Sequence, residues 1–425
     1  MDTVRLRKIL ISLIFFISFI SAIARAEDIY LTIDEAIALA LRQNKDVLLK
    51  AEDVKKAKLD IEEARAALYP AFNVTSTWSR NNGYYAKDFN TFNYQLGLKQ
   101  YLYKGGKTVN NIKYNEYLLD VNQAILNKTK IETVLGVKKA FYTLLLSNRF
   151  ADLNKMILKN TRQHLDFTQE RYKHGLASES DVLKIRSSLD SVTQAYETSL
   201  NQIDSSQALL NSYLYLEKDL KVIPKGELFY KEEDIIYDEA LLYALRNRPE
   251  LKQYEAQEKA DQKAIEVAKA DNRPSIYASW DYYARSNAAA GTAKNWNDNN
   301  VIGITFSWPV FDGWATRSKI EQAIIDLKST QITKEKAERD IWLEFRNAYL
   351  TLKNAIMKID AMESDLKVYN DNLRSLKKMF KEGIASVLDM DDAILKYSIS
   401  RFNKMQSVYD YVIAKSNFDK AMGEI

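Results

Sequence analysis

The chain has 425 residues, with 61 Lys and Arg against 57 Asp and Glu, for a formal net charge of +4. It has no cysteine and only two histidines, His164 and His174. This excludes disulfides, thiolate metal sites and cysteine nucleophiles, and leaves histidine-based catalysis little to work with.

Residues 1–26 read as a secretory signal. Arg5, Arg7 and Lys8 form a basic start, and an apolar run follows from Ile9 to Ile23. Ala24-Arg25-Ala26 resembles a cleavage site. The run is shorter than the roughly 18–20 residues of a spanning helix. Removal would take away four bases (Arg5, Arg7, Lys8, Arg25) and one acid (Asp2), lowering the charge from +4 to about +1. The remainder has no basic stripe for nucleic acid.

Residues 33–67 show helical spacing rich in Ala, Glu and Lys, with an interruption expected at Asn44-Lys45 and an exit at Pro70. A strand pair is predicted within 71–103. In 71–79, Phe72, Val74, Ser76 and Trp78 alternate with Asn73, Thr75, Thr77 and Ser79. In 94–102, Tyr94, Leu96, Leu98 and Leu102 form an apolar row that Gln100 breaks. Such lengths suit a tilted membrane strand, which needs roughly 9–11 residues.

A helical hairpin is predicted over 108–216. Its long arm, 108–172, would span about 97 Å at 1.5 Å per residue. The row Ser147, Asn154, Thr161, Thr168 is a poor seam, so a stripe with Val134, Val137, Phe141 and Leu144 is expected to pack instead. Gly175 turns the chain into the returning arm. Residues 217–236, with Pro224 and Gly226, read as a linker.

The pattern then begins again. Asp34-Glu35-Ala36 matches Asp238-Glu239-Ala240, and Pro70 matches Pro274. Lys173, Gly175, Ala177, Ser178 and Asp181 match Lys381, Gly383, Ala385, Ser386 and Asp389. The matches run in order, which marks a duplicated unit. The predicted copies are 27–220 and 221–425, the second with a strand pair in 275–311 and a hairpin over 316–421. A break is expected at Arg248-Pro249, because a residue before proline is pushed away from helical dihedrals. The second copy has cleaner strands. Ile276, Ala278, Trp280 and Tyr282 line one, and Ile302, Ile304, Phe306, Trp308 and Val310 the other. Its long helix carries a heptad row from Ile341 through Phe345, Leu352, Ile359, Leu366 and Leu373 to Phe380. That spacing makes a left-handed coiled-coil seam.

Four amphipathic strands cannot close a membrane barrel, because open edges leave unpaired backbone groups in lipid. Three protomers would supply twelve. The fold class expected is therefore mainly α with a β-barrel portion, built from long helical hairpins and four membrane strands per protomer. A periplasmic coiled-coil spacer or adaptor without a channel is the alternative. It leaves unexplained the aromatic residues around the strands, such as Trp78, Tyr94, Trp280 and Trp308.

With these features in place, the chain resembles the TolC family of outer-membrane efflux proteins. The resemblance rests on Leu31-Thr32-Ile33-Asp34-Glu35-Ala36, Tyr237-Asp238-Glu239-Ala240, Trp308-Pro309-Val310-Phe311-Asp312-Gly313, Arg171-Tyr172-Lys173-His174-Gly175 and Phe380-Lys381-Glu382-Gly383. The first copy departs at Tyr101, where the family usually has proline. The resemblance implies a homotrimer in outer-membrane lipid and a long periplasmic tube. It also implies a periplasmic adaptor, an inner-membrane pump, and a passive, non-enzymatic role in efflux or type I secretion. No cofactor or metal is implied.

The resemblance places the periplasmic entrance at the hairpin tips. Asp389 and Asp392 match acidic positions of the family, with Phe380 and Asp181 nearby. A capping role competes. Ser178-x-x-Asp181 and Ser386-x-x-Asp389 both fit the pattern in which a serine and an acid satisfy the first helical N–H groups. Asp391 and Asp392 are less well explained by capping. Phe380 and Ala385 stand where some relatives close the entrance with Tyr and Arg, so closure must differ here. Adaptor docking is expected at Gly175, Ala177, Ser178, Gly383, Ala385 and Ser386, though the glycines also suit a plain tight turn. His164 and His174 are expected to be ordinary surface or interface residues.

Overall fold

The computed structural model describes residues 29–82, 89–217, 220–231, 235–289, 296–382, 384–385 and 387–424. The expected signal segment, Gly383, Ser386 and parts of both strand-pair loops lie outside the described residues. In chain order the elements are β1 (Ile29–Leu31), α1 (Ile33–Gln43), α2 (Lys45–Ala66), β2 (Ala71–Asn81), β3 (Phe89–Lys104), α3 (Lys107–Lys173) and α4 (Glu179–Leu214). They continue with β4 (Val222–Pro224), α5 (Tyr237–Asn247), α6 (Pro249–Ala270), β5 (Ser275–Ala289), β6 (Trp296–Ser307), α7 (Ala315–Lys381) and α8 (Val387–Met422). The sequence of two helices, two strands and two long helices occurs twice.

The chain forms two compact units. One comprises Met1–Leu48, Lys130–Ala240 and Phe345–Ile425; the other Leu49–Thr129 and Leu241–Glu344. Each unit draws on both sequence copies.

In the first unit α1 starts at a capping box. The Thr32 hydroxyl accepts from Glu35 N–H, and the Glu35 carboxylate accepts from Thr32 N–H at 2.8 Å. Asn44 supplies the break between α1 and α2. Its Oδ1 accepts from Asp46 N–H (3.0 Å) while its Nδ2 donates to the Tyr213 carbonyl (3.3 Å). The core gathers Ala36, Ala40, Val137, Phe141, Leu144, Leu210, Leu214 and Val222. The expected stripe on α3 thus packs here.

The poorer row is buried in part, with Thr161 and Thr168 only half-buried. Ser147 and Asn154 lie inside, with Ser147 hydrogen-bonded to Ser206 (3.1 Å) and Asn154 Nδ2 donating to the Ala195 carbonyl (3.5 Å). Across α7 and α8 the interior is Phe345, Leu352, Ala355, Ile359 and Leu373, with Phe345 against Phe418 and Tyr237. The heptad row fades towards the tip, where Tyr369 and Phe380 are exposed. The segment expected as a plain linker holds β4, which pairs in parallel with β1, Ile29↔Val222 to Leu31↔Pro224.

The second unit holds the sheet, ordered β2-β3-β5-β6 and antiparallel throughout. Below it, α6 ends near Asp271, whose carboxylate accepts from Lys107 Nζ at 2.6 Å. Burial disfavours the Asp271 charge, but the Lys107 and Lys319 ammonium groups outweigh it and hold the acid below its ordinary range. Asp261 accepts from Thr330 (2.6 Å) and Gln257 (2.8 Å). The Arg248 side chain, nearly buried, donates to Glu250 and Glu344.

Candidate functional site

Register divides the sheet into two faces. Phe72, Leu98, Trp280 and Ile302 form one cross-strand row; Val74, Leu96 and Tyr282 lie in the next on the same face. These side chains are apolar, yet Val74 is 66% and Ile302 82% exposed. An exposed apolar face of this extent marks a surface for lipid or protein contact. The opposite face carries Asn73, Gly97, Asp281 and Val301 in one row, then Thr75, Gln95, Tyr283 and Asn299 in the next. There Gln95 Nε2 donates to Asp281 Oδ1 (3.0 Å), beside Gly97. A Cβ at Gly97 would stand 2.9 Å from that oxygen. Gln100, the polar interruption of the apolar row, donates to the carbonyls of Leu68 (3.0 Å) and Tyr101 (2.9 Å). The ladder slips between Tyr101 and Tyr103, which leaves Leu102 as a bulge.

The first hairpin tip is self-sufficient. Leu176 N–H reaches back to the Arg171 carbonyl (2.8 Å) and Gly175 N–H to that of Tyr172 (2.9 Å), with Gly175 at φ +72°. This is the paired closure of a helix end on a left-handed residue. The chain passes Ala177 and restarts at Ser178, whose hydroxyl accepts from Asp181 N–H (3.2 Å) while the Asp181 carboxylate accepts from Ser178 N–H (3.1 Å). The Ser178 hydroxyl and N–H hold the Asp181 carboxyl below its ordinary range. Asp181 is thus engaged as a cap, in agreement with the capping alternative.

At the second tip Ile384 N–H closes back on the Met379 carbonyl (2.9 Å). Phe380, Asp389 and Asp392 are exposed, and Ala385 is half-buried. Asp392 is engaged by Lys396 one turn on, 2.8 Å away, and that carboxylate raises the Lys396 ammonium above its ordinary range. His174 is exposed beside the first tip.

His164 is different. Its Nε2 meets Asp391 Oδ2, joining α3 of the first hairpin to α8 of the second, and both side chains are mostly covered. They line a recess of about 440 Å³ that also includes Ile157, Leu388, Asp389 and Asp392. No local signal could have found the pair, since its members lie in different copies. Above it, the Ser398 hydroxyl donates to the Ile394 carbonyl (2.7 Å) and lies 3.8 Å from Met156 Sδ, and Phe150 packs on Phe402. Among the described residues no cluster of acids and histidines could hold a metal ion, and no helix is long and apolar enough to cross a membrane.

The outer membrane efflux protein model matches residues 36–214 and 241–424. The chain belongs to that family. It is 21% identical over 420 residues to the outer membrane protein TolC of Escherichia coli (strain K12), a match covering 95% of this chain and 84% of that protein. The Campylobacter jejuni CmeC outer membrane channel superposes with a TM-score of 0.74 at 16% identity, covering 92% of this chain and 85% of that one. The open state of the Neisseria gonorrhoeae MtrE outer membrane channel gives the same TM-score, with 92% and 89% covered. As an outer membrane efflux protein, the chain is an outer-membrane channel component. The spacer reading falls away. The family resemblance drawn from the duplicated motifs is correct.

Proposed function

We propose that three copies of this chain form a passive duct from periplasm to exterior. Its wall in the outer membrane is a twelve-stranded barrel. The carrying observation is the two-faced sheet with open edges at β2 and β6. Backbone groups on such edges must pair before they can sit in lipid. Pairing β6 of one copy with β2 of the next closes the ring, turning the Phe72–Ile302 face to lipid and the Gln95–Asp281 face inward. Each copy, 27–220 and 221–425, contributes one strand pair and one hairpin, and residues 1–26 are removed on export.

The hairpin tips form the entrance. Asp389 and Asp392 of three copies ring it, with Phe380 and Asp181 alongside. Lys396 offsets part of the Asp392 charge. A periplasmic adaptor docks at Gly175, Ala177, Ser178, Gly383, Ala385 and Ser386, and an inner-membrane pump supplies the energy. Efflux and type I secretion both use such a duct, and no residue here carries catalysis.

The test is membrane fractionation with native mass spectrometry and planar-bilayer recording of the purified protein. The expected result is a trimer from the outer-membrane fraction that conducts. A detergent-solubilised monomer with no conductance would overturn the proposal.

A further inference from the structure

The polar face of the sheet changes character at its helical end. Lys99 belongs to the row Ala71–Lys99–Ser279–Gly303. It is the only side chain in that row longer than serine. A Cβ at Gly303 would meet nothing within 4 Å, so the space beside this row is open. The next row towards the helices holds Tyr101 opposite Tyr277, with rings edge-to-face at 5.6 Å. The Lys99 ammonium lies 3.9 Å from the Tyr277 ring centre and 4.9 Å from that of Tyr101. Lys104 lies 4.7 Å from Tyr101 on its own account.

Ring faces hold an ammonium in place without neutralising it, unlike a carboxylate. Among the described residues neither Lys99 nor Lys104 has an ion pair. The acid of the neighbouring row on this face, Asp281, takes its hydrogen bond from Gln95 instead.

We propose that Lys99, propped by Tyr277 and Tyr101 and seconded by Lys104, is a charge-selecting station of the duct that favours anionic solutes. This rests on the closed twelve-stranded reading with the polar face inward. Three copies then set a belt of fixed positive charge on a wall otherwise made, at that level, of alanine, serine and glycine. Lysine rings of this kind select anions in pores. The field of each charge reaches about 8 Å at physiological ionic strength. It therefore acts on solutes near the wall and weakens in concentrated salt.

The test uses full-length channels in planar bilayers under a potassium chloride gradient. Lys99→Gln should lower the chloride-to-potassium permeability ratio about twofold at low salt. Lys99→Arg should leave it near the parent value. Because the chain has no cysteine, Lys99→Cys gives a single target that can be modified after assembly. A cationic methanethiosulfonate should restore the ratio and an anionic one should push it below that of the glutamine variant. Should Lys99→Gln fail to assemble, the cysteine variant reads the same quantity. Channels of normal conductance whose ratio ignores the glutamine change and both adducts would overturn the station and leave the duct standing. So would a cysteine that neither reagent reaches from water. A parent protein that forms no channel would instead bring down the duct itself.

Discussion

The two hairpins hold themselves together by different means. In α7 and α8 the interior is large and apolar on one helix, with Phe345, Leu352, Ile359 and Leu373. The other supplies small residues every seventh position: Ala393, Ser400, Ser407, Ala414 and Ala421. The Ser407 hydroxyl is satisfied within its own helix, by the Lys404 carbonyl. In α3 and α4 the Ser199 hydroxyl is likewise satisfied within its helix, by the Tyr196 carbonyl, but Ser147 and Asn154 bond across the pair, to Ser206 and the Ala195 carbonyl. Apolar packing supplies stability but tolerates sliding, whereas a polar pair is satisfied at one register only. The first hairpin is therefore the better-indexed wall, and the second the more strongly packed one.

The largest effect that would break this contrast is Phe345→Ala. It removes a ring that is 0% exposed and touches Tyr237 and Phe418. A loss of about 3–5 kcal/mol is expected, read as a lower thermal unfolding midpoint of the purified protein. Next comes the first hairpin. Ser147→Ala should cost about 1 kcal/mol, and the Ser147→Ala, Ser206→Ala double variant little more, because removing both partners leaves no orphan. A double variant as damaging as Phe345→Ala would show that the polar seam carries the stability.

A comparable change at the tip is Ser178→Ala, which removes the cap of α4 for about 1 kcal/mol. The readout is faster amide exchange confined to the first turn of α4. Smaller still is the pH response of that cap. The Asp181 carboxyl is held below its unfolded range by Ser178, so its contribution is complete above the ordinary carboxylate range and is lost as pH falls through the lowered value. Exchange at the start of α4 should therefore quicken in acid, and Asp181→Asn should remove the dependence. Between the hairpins, Asp391→Asn should widen the α3–α8 separation at His164, measured between spin labels. An unchanged distance would reduce the His164 contact to a surface pairing.

Much of this was legible in the sequence because helical and strand periods are local. The breaks at Asn44 and Arg248 and the turn at Gly175 announce themselves through a capping amide, a following proline and a glycine. The alternation in Ile302, Ile304 and Phe306 marked the apolar face of the sheet before any pairing was known. What was not legible depends on distance in the chain. The β1–β4 pair is three residues long on each side, too short to show a period. The burial of Ser147 and Asn154 depends on partners in α4 that complete their hydrogen bonds, so their polarity read as a poor seam. At the candidate entrance, sequence pattern located Asp181 and its cap. His164 looked ordinary because its partner, Asp391, lies in the other copy.

The bare edges of β2 and β6 also bear on biosynthesis. In the proposed trimer, a chain not yet assembled carries two edge strands that can recruit any other unpaired strand. Its apolar sheet face offers no protection while it is in water. The productive encounter must therefore outpace the unproductive ones, and the yield of assembled channel should fall as the supply of unassembled chain rises. If these two edges close the proposed ring, they also put an upper limit on how fast a cell can profitably make it.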